Sequence, residues 1–143
     1  MQGVAENLIP VKFFALTTEG LLMALLFLSM DDNIYAGIPI GSDYDSDAYN
    51  TAWAWLLVGL LFCAVFLLVE IVLMFIGVSI MFNWVSAVSV MFHSLGILFK
   101  IWYFMLSWNY RVIWLIFGLT SVVPFAVEIG VLVNTPKINK AKN

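Results

Sequence analysis

Four long apolar stretches, separated by short polar segments, dominate the sequence. The stretches lie at residues 8–30, 52–75, 84–106 and 112–133. A bilayer core about 30 Å thick is crossed by about 20 residues of α-helix. Each stretch has this length, so the pattern predicts an all-α integral membrane protein that forms a four-helix transmembrane bundle, with residues 1–143 as one domain. An acidic loop at 31–51 and a basic tail at 134–143 complete the chain.

The composition supports a lipid surrounding rather than water. Hydrophobic residues make up 64% of the chain and charged residues 10%, whereas a soluble domain has about 25% charged residues. With six Lys and Arg and a net charge of -3, the chain lacks the cationic surface that broad contact with nucleic acid requires. The single cysteine, Cys63, lies in an apolar stretch and excludes an intrachain disulfide and a cysteine-based zinc site.

The basic residues that flank the stretches predict the orientation of the chain. Lys12 and three lysines of the tail fall on one side of the membrane, and Arg111 falls on the other. Because short cytoplasmic segments are enriched in basic residues, we expect both termini in the cytoplasm and the loop 31–51 outside. Tryptophan and tyrosine residues gather near the outer side, as in an interfacial aromatic belt.

Three alternating aspartates in the outer loop suggest a calcium-binding site. Asp43, Asp45 and Asp47 match the opening of an EF-hand loop. Such a loop also needs a glycine at its sixth position and a glutamate at its twelfth, where this chain has Ala48 and Ala54. The aspartates are therefore interpreted as part of a solvated loop.

Ionisable residues inside the spans are the candidates for function. They are Glu19, Glu70, His93, Lys100 and Glu128. Such residues are costly in hydrocarbon and usually face the interior of a bundle. Helical spacing places small residues on the same faces; the stripe in the third span consists of Ser86, Ser89, His93, Gly96 and Lys100. We expect an interior polar cluster of Glu19, Glu70, His93 and Glu128 that serves packing or contact with a partner.

Two further polar features are predicted outside this cluster. Lys100 lies about 24 Å from the cytoplasmic end of its span, near the outer interface. Its long stem allows the ammonium group to reach water there, so no partner is expected. Pro124 removes a backbone donor and frees the carbonyl of Thr120, which predicts a kink and a polar notch in the fourth span.

Three roles are open for the interior cluster: holding the helices together, conducting protons or ions, or binding a partner helix or a lipid. A metal site lacks a recognisable ligand spacing around His93, and no nucleophile pattern such as GxSxG is present. The chain is therefore interpreted as a non-enzyme without a cofactor. In the structural role, Glu70→Gln and Glu128→Gln should be mild and lysine at either position disruptive, because glutamine keeps the hydrogen bonds.

Several short landmarks resemble the transmembrane protein 107 family of the ciliary transition zone. They are LIPVKFF at 8–14, DDNIYAGIPI at 31–40, VEI around Glu70, GVSIMFN at 77–83, His93 in the third span, and PFAVE at 124–128. In this order and spacing they cover nearly the whole chain. Two features depart from the family pattern: GVSIMFN is one residue longer than the GVSMFN form, and Glu19 stands where histidine is expected.

The resemblance implies a four-span protein with cytoplasmic termini in the membrane at the base of the cilium. It implies a scaffold that helps to assemble the Meckel syndrome module, gates the composition of the ciliary membrane and supports ciliogenesis. Besides the lipid bilayer, the implied partners are tectonic, B9-domain and meckelin-type proteins. The alternative function is a small proton-coupled transporter or channel that uses the intramembrane Glu and His residues. The oligomeric state is left open.

Overall fold

Helices make up most of the described part of the fold. The computed structural model describes residues 2–44, 46–76 and 83–141, with side chains for 8–44, 46–76 and 83–134. The helices are α1 Gln2–Leu28, α2 Met30–Tyr35, α3 Asp47–Ile76, α4 Asn83–Met105, α5 Val112–Phe117 and α6 Val123–Ala141. A π-helical turn, Gly118–Val122, joins α5 to α6, so these segments form one long helix.

Within the described residues, four segments are long and apolar enough to cross a bilayer. They are Leu8–Leu28, Asp47–Ile76, Asn83–Met105 and Val112–Asn134. Large apolar side chains such as Phe14, Phe75 and Leu115 are exposed on their outward faces, as suits a surface that meets lipid tails. The prediction of an all-α, four-helix transmembrane architecture is confirmed.

Local capping moves the helix ends away from the ends of the apolar stretches. The Ser46 hydroxyl accepts a hydrogen bond from the backbone N–H of Tyr49 at 3.2 Å, the usual N-cap bond. Helix α3 therefore begins at Asp47, five residues before the predicted span. At the other end of the loop 31–51, the Ser29 hydroxyl donates back to the carbonyl of Leu25 and does not cap α2. Helix α2 begins at Met30, the last residue of the predicted span, and continues into the predicted loop.

The packing order around the bundle places consecutive spans two and three on a diagonal. Helix α1 lies between α3 and α4, and packs most closely against α4. The fourth span, formed by α5, the π-helical turn and α6, packs against α4 and α3. The first and fourth spans therefore face each other across the centre, as do α3 and α4.

The half of the interior near the loop 31–51 is apolar. We call it the apolar half. Its buried side chains are Met23, Leu26, Met30, Ile34, Tyr49, Ala52, Leu56, Leu60, Cys63, Tyr103, Tyr110, Ile113 and Ile116. Trp114 packs against its rim, edge to face with Trp55 at a ring-centroid distance of 5.7 Å.

Asn33 closes the apolar half by tying α2 to the turn between α4 and α5. Its side-chain amide donates to the carbonyls of Tyr103 at 3.1 Å and Trp108 at 2.8 Å. The backbone carbonyl of Asn33 accepts a hydrogen bond from the backbone N–H of Tyr110 at 3.1 Å. In this turn Ser107 adopts a left-handed conformation with φ of 43°, which lets the chain reverse after α4.

The fourth span departs from α-helical geometry just before Pro124. Where the sequence predicts a kink from the missing donor, the structure has the π-helical turn Gly118–Val122. Thr120 and Ser121 are buried in this wider turn, and the Thr120 hydroxyl donates to the carbonyl of Ile116 at 2.9 Å. The turn thus brings two hydroxyl groups into the interior beside α4.

Candidate functional site: a buried ionic network

Six ionisable side chains from all four spans meet in the interior. We call them the ionic network: Lys12, Glu19, Glu70, His93, Lys100 and Glu128. Each is at most 1% exposed. A charge at membrane depth is costly unless it is paired, so the pairing decides whether the arrangement is stable.

Four members form a continuous chain that runs from α4 to α1, returns to α4 and ends on α3. The Lys100 ammonium group donates to Oε1 of Glu19. Oε2 of Glu19 lies 2.6 Å from Nδ1 of His93, and Nε2 of His93 contacts Oε2 of Glu70. Because His93 and Lys100 are two helical turns apart on one face of α4, a single carboxylate on α1 serves both.

His93 lies between two carboxyl groups, which constrains its protonation. A neutral imidazole has one N–H and can donate to only one of them. Both contacts are satisfied by a doubly protonated ring, or by a neutral ring when one carboxyl holds the proton. With a doubly protonated ring, the three carboxylates of the network balance its three cations. The network is therefore neutral as a whole without an external ion.

A second ion pair joins the first and fourth spans. The Lys12 ammonium group donates to Oε1 of Glu128, 116 residues further along the chain. Both side chains are completely buried. This pair bridges one diagonal of the bundle, and the contact between His93 and Glu70 bridges the other. Side chains thus connect the helices whose backbones are farthest apart.

Gly96 provides the space in which the network packs. It lies between His93 and Lys100 on the buried face of α4. A Cβ atom at this position would lie 2.8 Å from Oε1 of Glu19, closer than packed atoms approach, and only 3.0 Å from Cβ of Thr120. The absence of a side chain at Gly96 therefore allows α1 and the fourth span to meet α4 here.

Glu70 is less fully bonded than Glu19. Its Oε1 atom is buried without a hydrogen-bond partner among the described residues, and the same holds for the hydroxyl of Ser89. Ser89 lies about one turn before His93 on α4. Glu19, in contrast, has a partner on each oxygen. An unpaired buried oxygen is costly, so the carboxylate of Glu70 is stabilised less by hydrogen bonds than that of Glu19.

The structure places the predicted cluster in the interior but divides it. Glu19, His93 and Glu70 contact one another directly, whereas Glu128 pairs with Lys12 instead. The predicted stripe of the third span is buried at every position: Ser86, Ser89, His93, Gly96 and Lys100. Whether the cluster serves packing or contact with a partner stays a prediction.

The expectations for both lysines are wrong. Lys100 does not extend to the outer interface without a partner; it is buried and pairs with Glu19, because a carboxylate on the adjacent α1 is within reach. Lys12 is not a flanking charge but a buried partner of Glu128. Its position seven residues before Glu19 was the available signal, since this spacing puts both on one helical face. Without Lys12, the difference in basic residues between the two sides of the membrane, which predicts the orientation, is three tail lysines against Arg111.

Metal binding finds no support in the described part of the chain. There, no group of three or more His, Cys, Asp and Glu side chains is placed to hold a metal ion. Asp45, one of the three alternating aspartates, lies outside the described residues, as does the GVSIMFN segment apart from Asn83. Asp31, at the start of the outer loop, accepts a hydrogen bond from the Tyr49 hydroxyl at 2.6 Å.

Comparison with known proteins identifies the family. The family model of TMEM107, a transmembrane protein, matches residues 8–132, a range that includes all six members of the ionic network. The chain belongs to the TMEM107 family. Transmembrane protein 107 of Danio rerio is 26% identical over 129 residues, which are 90% of this chain and 94% of that relative. No solved structure matches this TMEM107 chain.

Membership in the TMEM107 family confirms the resemblance seen in the sequence. The four spanning helices and the family together make the chain a multi-pass membrane protein. TMEM107 proteins are a transmembrane family that is not known for enzymes.

Proposed function

We propose that this member of the TMEM107 family is a non-enzymatic membrane scaffold of the ciliary transition zone. It helps to assemble the Meckel syndrome module with tectonic, B9-domain and meckelin-type proteins. In this role it helps to gate which membrane proteins enter the cilium, and it supports ciliogenesis. Both termini lie in the cytoplasm, and the loop 31–51 lies outside.

The observation that supports a scaffold is the contrast between a paired ionic interior and an apolar exterior. The charged groups of the six network members point inward to one another, so they brace the bundle from within. The outward faces present side chains such as Phe14, Phe75 and Leu115. Association of helices in lipid depends on packing between fixed surfaces, and a braced bundle offers such surfaces to partner helices.

Fluorescence localisation of the tagged chain at native expression in ciliated cells tests the location. A band between basal-body and axoneme markers is expected. Uniform signal in the plasma membrane or the endoplasmic reticulum would contradict the transition-zone assignment. In cells that lack the protein, other membrane proteins of the transition zone should be displaced, and their unchanged placement would contradict the scaffold role.

A specific observation also favours a second function, a small proton-coupled transporter or channel. The chain of side chains from Lys100 to Glu70 links titratable groups by direct contacts, and Glu70 has an oxygen that no described residue binds. Such linked groups occur in proton relays. Purified protein in liposomes should then show a proton flux that Glu70→Gln abolishes, whereas absence of flux across imposed gradients argues against this function.

One variant separates the two functions in cells. Glu70→Gln replaces the carboxylate by an amide of similar size, which still forms hydrogen bonds but cannot exchange a proton in the same way. If the protein acts as a scaffold, the Glu70→Gln variant should still restore the transition zone of null cells. If it acts as a proton pathway, this variant should fail to restore it. Asp32→Asn makes the same chemical change at an exposed residue of α2 and serves as the control that should restore function in either case.

A further inference from the structure

A groove opens at the loop end of the bundle, where α3 meets the start of the fourth span. A cavity of about 320 Å³ there is lined by Thr51, Trp55, Tyr110, Arg111 and Trp114. A second cavity of about 240 Å³ shares Trp55 and continues along α3 past Ala54 and Val58. Because α3 runs into the bilayer in this direction, the groove leads from the interface toward the hydrocarbon.

Arg111 stands at the mouth of this groove. It is exposed and directly precedes α5. Its Nε donates to the Tyr110 hydroxyl at 3.2 Å, and its guanidinium lies 5.6 Å from the centre of the Tyr110 ring. These contacts hold the side chain on one side, and no carboxylate of a described residue lies within ion-pair distance of it. The other N–H groups of the Arg111 guanidinium are therefore available to an anion.

The walls of the groove differ in chemistry from its mouth. Below Arg111 they consist of the Trp55 and Trp114 rings and, further along α3, of Ala54 and Val58. A small soluble anion would match Arg111 but leave these walls unused. A hydrocarbon chain would match the walls but not the guanidinium group. The ligand that fits both ends has a phosphate joined to an acyl chain.

We propose that this groove is a binding site for one phospholipid, with its phosphate on Arg111 and an acyl chain along Trp55 and Val58. Arginine binds phosphate through paired N–H donors, and its place beside the first turn of the fourth span puts it at the depth of lipid headgroups. This site lies apart from the ionic network and does not depend on the proposed function.

Native mass spectrometry of the full-length protein in detergent tests the headgroup end. The probes are dioleoylphosphatidylglycerol and dioleoylglycerol, which have the same acyl chains but differ in the phosphate. We expect one phospholipid to be retained in preference to dioleoylglycerol, and Arg111→Gln to weaken its retention about tenfold. Lys140→Gln, which removes one positive charge from the C-terminal tail, should leave retention unchanged. Equal retention by Arg111→Gln and the wild type, or of both lipids, would overturn the proposal.

A pair of tryptophans on α3 tests the acyl-chain end. Trp55 lines both cavities, whereas Trp53 is exposed on the same helix without lining either. Trp55→Ala should reduce phospholipid retention several-fold and Trp53→Ala should not. If Arg111→Gln loses phospholipid retention but Trp55→Ala does not, only the headgroup is bound, at the surface of the protein. This result would overturn the groove assignment. A dimer that only Trp55→Ala abolishes would assign the groove to a second copy and also overturn it. Unchanged melting of Arg111→Gln and Trp55→Ala in detergent confirms that both variants are folded.

Discussion

The two halves of the bundle interior are filled with different kinds of side chain. Near the loop 31–51, the apolar half packs aliphatic and aromatic groups. Toward the termini, the ionic network places six charged or titratable groups among small hydroxyl residues and Gly96. Lys100 reaches from the third span to Glu19 at the border between them. The same four helices are therefore held by packing at one end and by ion pairs at the other.

This difference shows how a small membrane protein specifies one arrangement of its helices. In lipid, an apolar side chain gains little by leaving the bilayer for the bundle interior, so the apolar half discriminates between arrangements mainly through shape. A buried charge without its partner is far more costly. The ionic network therefore penalises every arrangement in which Lys12 misses Glu128 or His93 misses Glu19. Breaking one half at a time should reveal this division.

The largest effect is expected when one partner of the fully buried pair is removed. Glu128→Gln leaves the Lys12 ammonium group without its carboxylate, and such a loss costs about 3–5 kcal/mol. Glu70→Gln should cost much less, because its partner His93 can give up a proton. The sequence alone led us to expect mild effects of glutamine at both positions; the pairing with Lys12 restricts that expectation to Glu70. Unfolding in bicelles measures both free energies.

The double variant Lys12→Met/Glu128→Leu is the control for this pair. It removes both charges and keeps similar volumes, so its free energy of unfolding should return close to that of the wild type. If the double variant is as unstable as Glu128→Gln, the cost comes from lost packing rather than from an uncompensated charge. The contrast between the two halves would then be wrong.

The parts of this structure that depend on local pattern could be predicted from the sequence. Apolar length gave the four spans, and helical spacing gave the buried stripe that ends at Lys100. Pairing could not be predicted in this way, since Lys12 and Glu128 are 116 residues apart and meet only because of the packing order of the helices. Lys100 was misplaced for the same reason: its depth was counted along one helix, while its partner lies on another.

The next effect concerns Asn33, the polar residue that closes the apolar half. Asn33→Ala removes two hydrogen bonds and leaves the carbonyls of Tyr103 and Trp108 without this donor, which should cost about 2–3 kcal/mol. Hydrogen exchange at the backbone N–H of Tyr110, which donates to the Asn33 carbonyl, should accelerate as the turn loosens. Unchanged exchange there would show that the turn is held by packing alone. Asp32→Asn, on the exposed side of α2, is the control.

Glycine-to-alanine substitutions compare the two halves directly. Gly96→Ala puts a Cβ 2.8 Å from Oε1 of Glu19 and should cost about 1–3 kcal/mol. Gly59→Ala in the apolar half meets the Cγ2 methyl of Ile113 at 2.9 Å, which a rotation of that one side chain can relieve. At Gly96 the new Cβ also meets Cβ of Thr120 at 3.0 Å, and that atom moves only with the backbone, so the cost at Gly59 should be smaller. Gly130→Ala meets nothing within 4 Å and should be neutral or stabilising through helix propensity. Equal costs for Gly96→Ala and Gly59→Ala would contradict the stricter geometry assigned to the ionic half.

The smallest effect is expected at the outer edge of the apolar half. The Tyr49 hydroxyl donates to Asp31 at 2.6 Å and links the start of α3 to α2. Tyr49→Phe removes this bond but keeps the ring, which packs 5.0 Å from that of Tyr44 and 5.6 Å from that of Tyr35. The cost should be about 1 kcal/mol. Asp31→Ala should cost about the same, and the double variant no more than either single one, because both remove one interaction. Additive costs in unfolding measurements would show that the two side chains stabilise the loop end independently, and that packing of the three tyrosine rings is what joins α2 to α3.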